Sequence, residues 1–248
     1  MARKSRSLDL IRGGFAALAL LCLAGIARGQ ADPPPLERAV IEKYLFLPES
    51  DTYLVGDRIA KWESDLIVVL YREDERPLVE RLVAEIHRRE ALGPVRILLL
   101  PAIERLAEGA YDRPNFTLGV NSADFEFMLA PGALAGLEAY QANAKAAGCY
   151  AQPTLPLAKR DYVVTGGQIM ARDDLSRAAL GDCIFRGFLL NAGLMYTPRL
   201  ADDPTFFTAA EREEALSVLR LLYHPAIDPG MDRDAFYRAL GAAGLLAD

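Results

Sequence analysis

The chain has 248 residues, 52% of them hydrophobic and 25% charged, with 28 Lys and Arg against 34 Asp and Glu and a formal charge of −6. That length and apolar content fit one domain with a substantial core. The acidic balance argues against nucleic acid and anionic membrane surfaces as partners.

Met1 to Gly29 reads as a secretory signal. Arg3, Lys4, Arg6 and Arg12 form a basic start, Phe15 to Ile26 an apolar run, and Ala27-Arg28-Gly29 offers small residues for cleavage. About a dozen apolar residues are too few to span a bilayer. Cys22 follows Leu20-Leu21, which lacks the small residue a lipoprotein site needs. The expectation is a soluble periplasmic or secreted protein with no membrane span once the signal is removed. Removing residues 1 to 29 takes away five Lys/Arg and one Asp/Glu, leaving 23 basic against 33 acidic residues and a formal charge of −10. Of the three cysteines only Cys149 and Cys183 remain, and an even count in an oxidising compartment predicts a disulfide between them. It would tie the loop before a central strand to a central helix.

In chain order, a proline-rich entry precedes a short helix within Leu36 to Leu45, and Ile59 to Tyr71 reads as a strand with Leu66 to Leu70 buried. Pro77 opens an amphipathic helix, and Val95 to Leu100 is a second buried strand. Phe116 to Val120 and Phe125 to Leu129 read as a third and fourth strand around an Asn121-Ser122 turn. Leu134 to Ala147 predicts a helix ending at Gly148, followed by a loop from Cys149 to Arg160.

Tyr162 to Leu194 then organises the chain. Its strand contains Gly166-Gly167, which suggests a bulge or a close approach. A turn follows in which Asp173 or Asp174 can cap a helix. That helix is apolar on every side, the pattern of a core helix, apart from Arg186 and Asn191 in its second half. Asp182 stands four residues before Arg186, the spacing of an ion pair. Thr208 and Glu211 form a capping box for the next helix, Pro225 and Pro229-Gly230 stop it, and Met231 or Asp232 starts the last one. The expected fold is α+β, a single domain over residues 30–248 with a mixed sheet and a buried central helix.

A strand leading into a buried helix that ends in Gly193-Leu194 resembles the zincin metallopeptidases, which carry His-Glu-x-x-His on that helix. Here the motif positions hold Arg186, Gly187 and Leu190. None of these can ligate zinc or deprotonate a bound water. The mature chain has only His87 and His224, in separate segments, so a two-histidine site on one helix is excluded. His87 reads as a solvated residue, and His224 as a helix C-terminal residue whose cationic form suits the dipole. Asp173, Asp174 and Asp182 are conceivable acid/base groups, although the first two suit the cap. No phosphate loop is present. Catalytic residues, metal ligands and cofactors are therefore all expected to be none.

Lys61-Trp62, a cysteine on the central helix, Gly193-Leu194, Leu219 to Pro225 and Pro229-Gly230-Met231 together resemble a family of secreted proteobacterial proteins catalogued as domain of unknown function 2927. Its members are similar in pattern to zincins and usually carry a Glu-Glu pair and a Gln on the helix, where this chain has Arg186-Gly187 and Leu190. Met195-Tyr196-Thr197 stands where the family tends to have Asn-Asp. The resemblance implies an exported, non-catalytic binding or interaction protein with a degenerate zincin-like core; the alternative is an envelope hydrolase that uses carboxylates rather than zinc. It also implies that Gly167 to Arg172 lies at a sheet edge, open to a peptide or envelope protein; the alternative is that the Pro153–Pro156 loop covers that edge and leaves no groove. Gln168, Arg172, Arg186 and Asn191 are then the candidate binding residues.

Overall fold

The computed structural model describes residues 32–46, 58–103, 114–130, 138–154, 162–194 and 207–247. The signal pattern, the start of the helix expected from Leu134, most of the Pro156 loop and Met195-Tyr196-Thr197 lie outside the described residues. Seven helices and seven strands are formed among those described, an α+β architecture. In order they are α1 (Arg38–Leu45), β1 (Lys61–Trp62), β2 (Leu66–Leu70), α2 (Arg76–Arg88), β3 (Ile97–Leu99), β4 (Phe116–Val120), α3 (Ser122–Met128), α4 (Glu138–Ala147), β5 (Cys149–Thr154), β6 (Val163–Val164), β7 (Gly166–Ala171), α5 (Arg177–Asn191), α6 (Ala209–Leu222) and α7 (Arg233–Ala242).

The main sheet has the order β3-β2-β4-β7-β5. Its first four strands run parallel, and β5 lies antiparallel to β7 with Cys149 opposite Ala171, Ala151 opposite Ile169 and Pro153 opposite Gly167. This corrects the expected edge. β7 pairs with β4 on one side and β5 on the other, so its backbone groups are taken up by the sheet and unavailable to a peptide. The strand expected over Ile59 to Tyr71 is split, because β1 leaves the sheet to pair with β6.

Three local expectations are overturned by stronger local chemistry. Phe125 to Leu129 is part of a helical turn rather than a strand, because the Asn121 side chain accepts the N–H groups of Ala123 and Asp124 and caps α3. The helix buries Phe125 and leaves Phe127 77% exposed. The segment from Cys149 is a strand rather than a loop, since Pro153, which has no N–H, is tolerated on a strand that β7 pairs on one side only among the named strands. At α5 the cap is Ser176, whose hydroxyl accepts the Ala179 N–H at 3.2 Å, and not an aspartate. Asp173 instead accepts from Ser122 Oγ at 2.5 Å, and Asp174 pairs with Arg172. The capping box of Thr208 and Glu211 and the Asp232 cap are present.

Packing follows from the alternation of the strands. One sheet face meets α5, where Phe116 and Phe188 have ring centroids 5.4 Å apart. The other carries a smaller cluster of Phe125, Leu129, Ala144, Tyr150 and Met170 beneath α3 and α4. From Cys183 to Asn191 every residue of α5 is buried, as its all-round apolarity predicts. Among the described residues, no helix is long and apolar enough to cross a membrane.

The disulfide joins Cys149 on β5 to Cys183 on α5, with an S–S distance of 2.11 Å and a sequence separation of 34. Restricting an unfolded loop of that length contributes roughly 3–4 kcal/mol in the chain-entropy model. A Cys149→Ala/Cys183→Ala protein should therefore unfold in urea with a free energy lower by about that amount. An unchanged midpoint and slope would show that the bridge does not constrain this fold.

Candidate functional site

The inner face of α5 is fastened to the sheet along one stripe. Cys183 is bonded to Cys149. Gly187, one turn on, lies so close to the sheet that an added Cβ would sit 2.8 Å from Ile169 and 3.1 Å from Ala151. Asn191, after one further turn, donates from Nδ2 to the carbonyl oxygens of Gly187 at 2.7 Å and Gln168 at 3.2 Å. Its Oδ1 lies against Gly167, where a Cβ would approach to 2.3 Å. The close approach suggested by Gly166-Gly167 is thus to a helix side chain.

Lys61-Trp62, Gly193-Leu194, Tyr223 and Pro229-Gly230-Met231 gather at the C-terminal end of this helix. The last carbonyls of a helix lack partners within it. Here the Trp62 indole N–H donates to Asn191 O at 2.8 Å, and the Tyr223 hydroxyl donates to Ala192 O at 3.1 Å while accepting the Trp62 backbone N–H. Burial pushes the Tyr223 phenol well above its ordinary value, so it remains a donor. Gly193, at φ +101°, leaves room for Ala60 O, which a Cβ would approach to 2.0 Å. Gly230 N–H donates to Ile59 O and Ile59 N–H to Met231 O, while Lys61 Nζ donates to Ile227 O. Among the described residues, these contacts close the helix end.

The outer face of α5 differs. It borders a cavity of about 470 Å³ shared with α2 and with the start of α6. Leu78, Leu82, Ile184, Phe185 and Phe207 supply apolar lining. Gly181, with only Leu78 Cδ1 near its missing Cβ at 3.5 Å, keeps the helices from filling the space with side chains. Among the described residues, two carboxylates reach this region and both are engaged. Asp182 Oδ2 lies 2.5 Å from Arg186 Nε, and Oδ1 accepts the Phe207 N–H at 3.1 Å. Glu85 pairs with Arg212 at 3.0 Å, and the Arg212 guanidinium lies 3.7 Å above the Phe185 ring. Arg81 and Arg177 also line the cavity, and their side chains have no ion pair or hydrogen bond among the described residues.

The four candidate binding residues do not converge. Gln168 places its side chain beside Gln152, on the sheet face away from α5, and only its carbonyl meets Asn191. Arg172 is at the end of β7 with Asp174. Arg186 is 5% exposed and held by Asp182 and the Phe207 ring, as its spacing from Asp182 predicts. Asn191 is fully buried. Nor do the three aspartates form an acid/base set, since Asp173 and Asp174 are held in the turn and Asp182 in the helix. The Ser122 hydrogen bond keeps the Asp173 carboxyl below its ordinary value, which favours the ionised form over a proton donor. Among the described residues no group of three or more His, Cys, Asp and Glu is placed to hold a metal ion. His224 is half-buried, with Nδ1 accepting the Ala226 N–H, and His87 is exposed on α2.

Sequence reasoning missed Arg81, Arg177, Arg212 and Phe207. A signal was present on α2, where Leu78, Arg81, Leu82 and Glu85 recur at one-face spacing and so put an arginine within an apolar stripe. Comparison with protein-family models, with curated proteins and with solved structures finds no match to this chain.

Two outcomes follow from this geometry. Gly167→Ala should destabilise the protein by about 1–3 kcal/mol through overpacking against Asn191, with part of the loss recovered in Gly167→Ala/Asn191→Ala. Strict additivity in denaturant titrations would show that the two residues do not share the site. Lys61 is 9% exposed, and its removal from water lowers its pKa below 10.5 despite the opposing charges of Asp228 and Glu63. Between that lowered value and the unfolded value near 10.5, the folded chain binds fewer protons than the unfolded one, so stability rises with pH. Relative to Lys61→Met, the unaltered protein should gain stability as pH climbs toward 10.5; a constant difference would contradict this.

Proposed function

We propose that this protein is an exported, non-catalytic binding protein whose ligand occupies the cavity between α2, α5 and α6. The observation that carries this reading is the contrast between the two faces of α5. Its inner face is consumed by a disulfide, a glycine contact and an asparagine hydrogen-bond pair, whereas its outer face borders a cavity of mixed apolar and charged lining with two unengaged arginines. A cavity of about 470 Å³ falls in the range of small-molecule sites, roughly 300–1,000 Å³. The leader pattern over Met1 to Gly29 and the buried bridge support export, most directly to a periplasm.

The resemblance to a degenerate zincin-like core agrees with a binding role, because Arg186, Gly187 and Leu190 offer no metal donor and each is packed. A carboxylate-based hydrolase is less well supported, since Asp182 and Glu85 are both committed to arginines. The test is native mass spectrometry of the mature protein recovered from the periplasm of an expression host. The expected result is a small-molecule adduct that is lost in Gly181→Phe, whose side chain fills the cavity, with circular dichroism unchanged. One zinc per chain, removable by a chelator and coupled to hydrolysis of an envelope substrate, would overturn the proposal.

A further inference from the structure

We infer that the cavity ligand is a small amphipathic organic anion, a monocarboxylate with an apolar body, whose charged end is held by Arg81 and Arg177. This rests on the binding reading above and adds the chemical class. The charge distribution selects it. With Asp182 engaged by Arg186 and Glu85 by Arg212, the charges left over at the cavity among the described residues are Arg81 and Arg177, both positive and both exposed. They stand against the grain of a chain with a formal charge of −6. Guanidinium groups present planar forks of N–H donors that match a carboxylate in two-point contact.

The rest of the lining selects the other end of the ligand. Leu78, Leu82, Ile184 and Phe185 offer hydrocarbon and ring surface that a free inorganic anion would leave unfilled. Phe185 is fixed by Arg212 over its ring at 3.7 Å and by an edge-on contact with Phe207, ring centroids 5.4 Å apart. A cationic amphiphile meets like charge at the rim, and a neutral one leaves the two arginines without a counter-charge. The polarity of the cavity therefore has a direction, with its apolar floor on the helix contact and its cationic groups toward solvent.

Octanoate, octyltrimethylammonium, octyl glucoside and inorganic phosphate, titrated into the mature protein at low ionic strength, test the assignment. Binding is read by calorimetry and by methyl shifts of Leu78, Leu82 and Ile184. Octanoate should bind and shift those methyls, and Arg81→Gln and Arg177→Gln should each weaken it about tenfold or more, with the fold unchanged. Added salt should weaken binding in the unaltered protein more than in the double variant. Equal affinity for octyltrimethylammonium or octyl glucoside, or undiminished octanoate affinity in the double variant, would overturn the anion assignment while leaving a binding cavity. If phosphate binds and octanoate does not, the apolar body is wrong. Methyls unmoved by all four probes, together with no adduct on the periplasmic protein, would overturn both this inference and the binding reading on which it rests.

Discussion

The rest of the structure depends on the match in repeat between α5 and the two strands beneath it. Four helical residues advance about 6 Å and two strand residues about 6.6 Å, so positions four apart on the helix keep step with positions two apart on a strand. Cys183, Gly187 and Asn191 use that coincidence. They meet the levels of Cys149 and Ala171, then Ala151 and Ile169, then Pro153 and Gly167. Each contact is chemically different: a covalent bond at one end, backbone proximity in the middle, and an amide donating to two carbonyls at the other. Apolar packing alone tolerates sliding by small amounts, whereas this combination fixes both the height and the rotation of the helix. With rotation fixed, the inner face is closed and any ligand must approach from elsewhere.

The far end of α5 is held by groups distant in sequence. Trp62 and Tyr223 cap carbonyls the helix leaves open, and the glycine at 193 allows the Ala60 backbone to enter where a side chain would block it. This accounts in physical terms for residues that look unrelated along the chain. Lys61-Trp62, Gly193-Leu194, Tyr223 and Pro229-Gly230-Met231 are scattered over the sequence because they are the parts of one joint. Their chemistry is that of closing a buried helix end.

What could be read from residues alone was whatever one segment determines by itself. The all-round apolarity of Cys183 to Asn191, the Thr208 and Glu211 box, and the Asp182 to Arg186 spacing are local patterns, and each has its local consequence. The pairing of the two cysteines followed from their number. Strand neighbours are not local. Nothing in Gly167 to Arg172 says that β5 will lie beside it, and the prolines of the Cys149 segment hid a strand that edge placement permits. Phe125 to Leu129 misled for the opposite reason, since an alternating apolar pattern yielded to a single asparagine cap. The cavity was least legible, because it is assembled from three helices whose faces are each ordinary when viewed singly.

The acidic groups near the cavity explain why its arginines stand out. Asp182 is in the interior of a helix, where a bare carboxylate would be costly to bury, and its two oxygens are satisfied by Arg186 within the helix and by the Phe207 N–H that begins the approach to α6. Glu85 and Arg212 bridge α2 to α6 across the same opening. The first pair lies within α5 and the second holds α2 to α6, and both remove negative charge that would otherwise offset Arg81 and Arg177. The structural ion pairs thus leave the cavity cationic without burying an unpaired positive charge, because the two remaining arginines are exposed and hydrated until a counter-charge arrives. That division of labour requires α6 to be docked. Only with α6 docked does Arg212 neutralise Glu85, so the packing of the three helices and the charge of the cavity are set together.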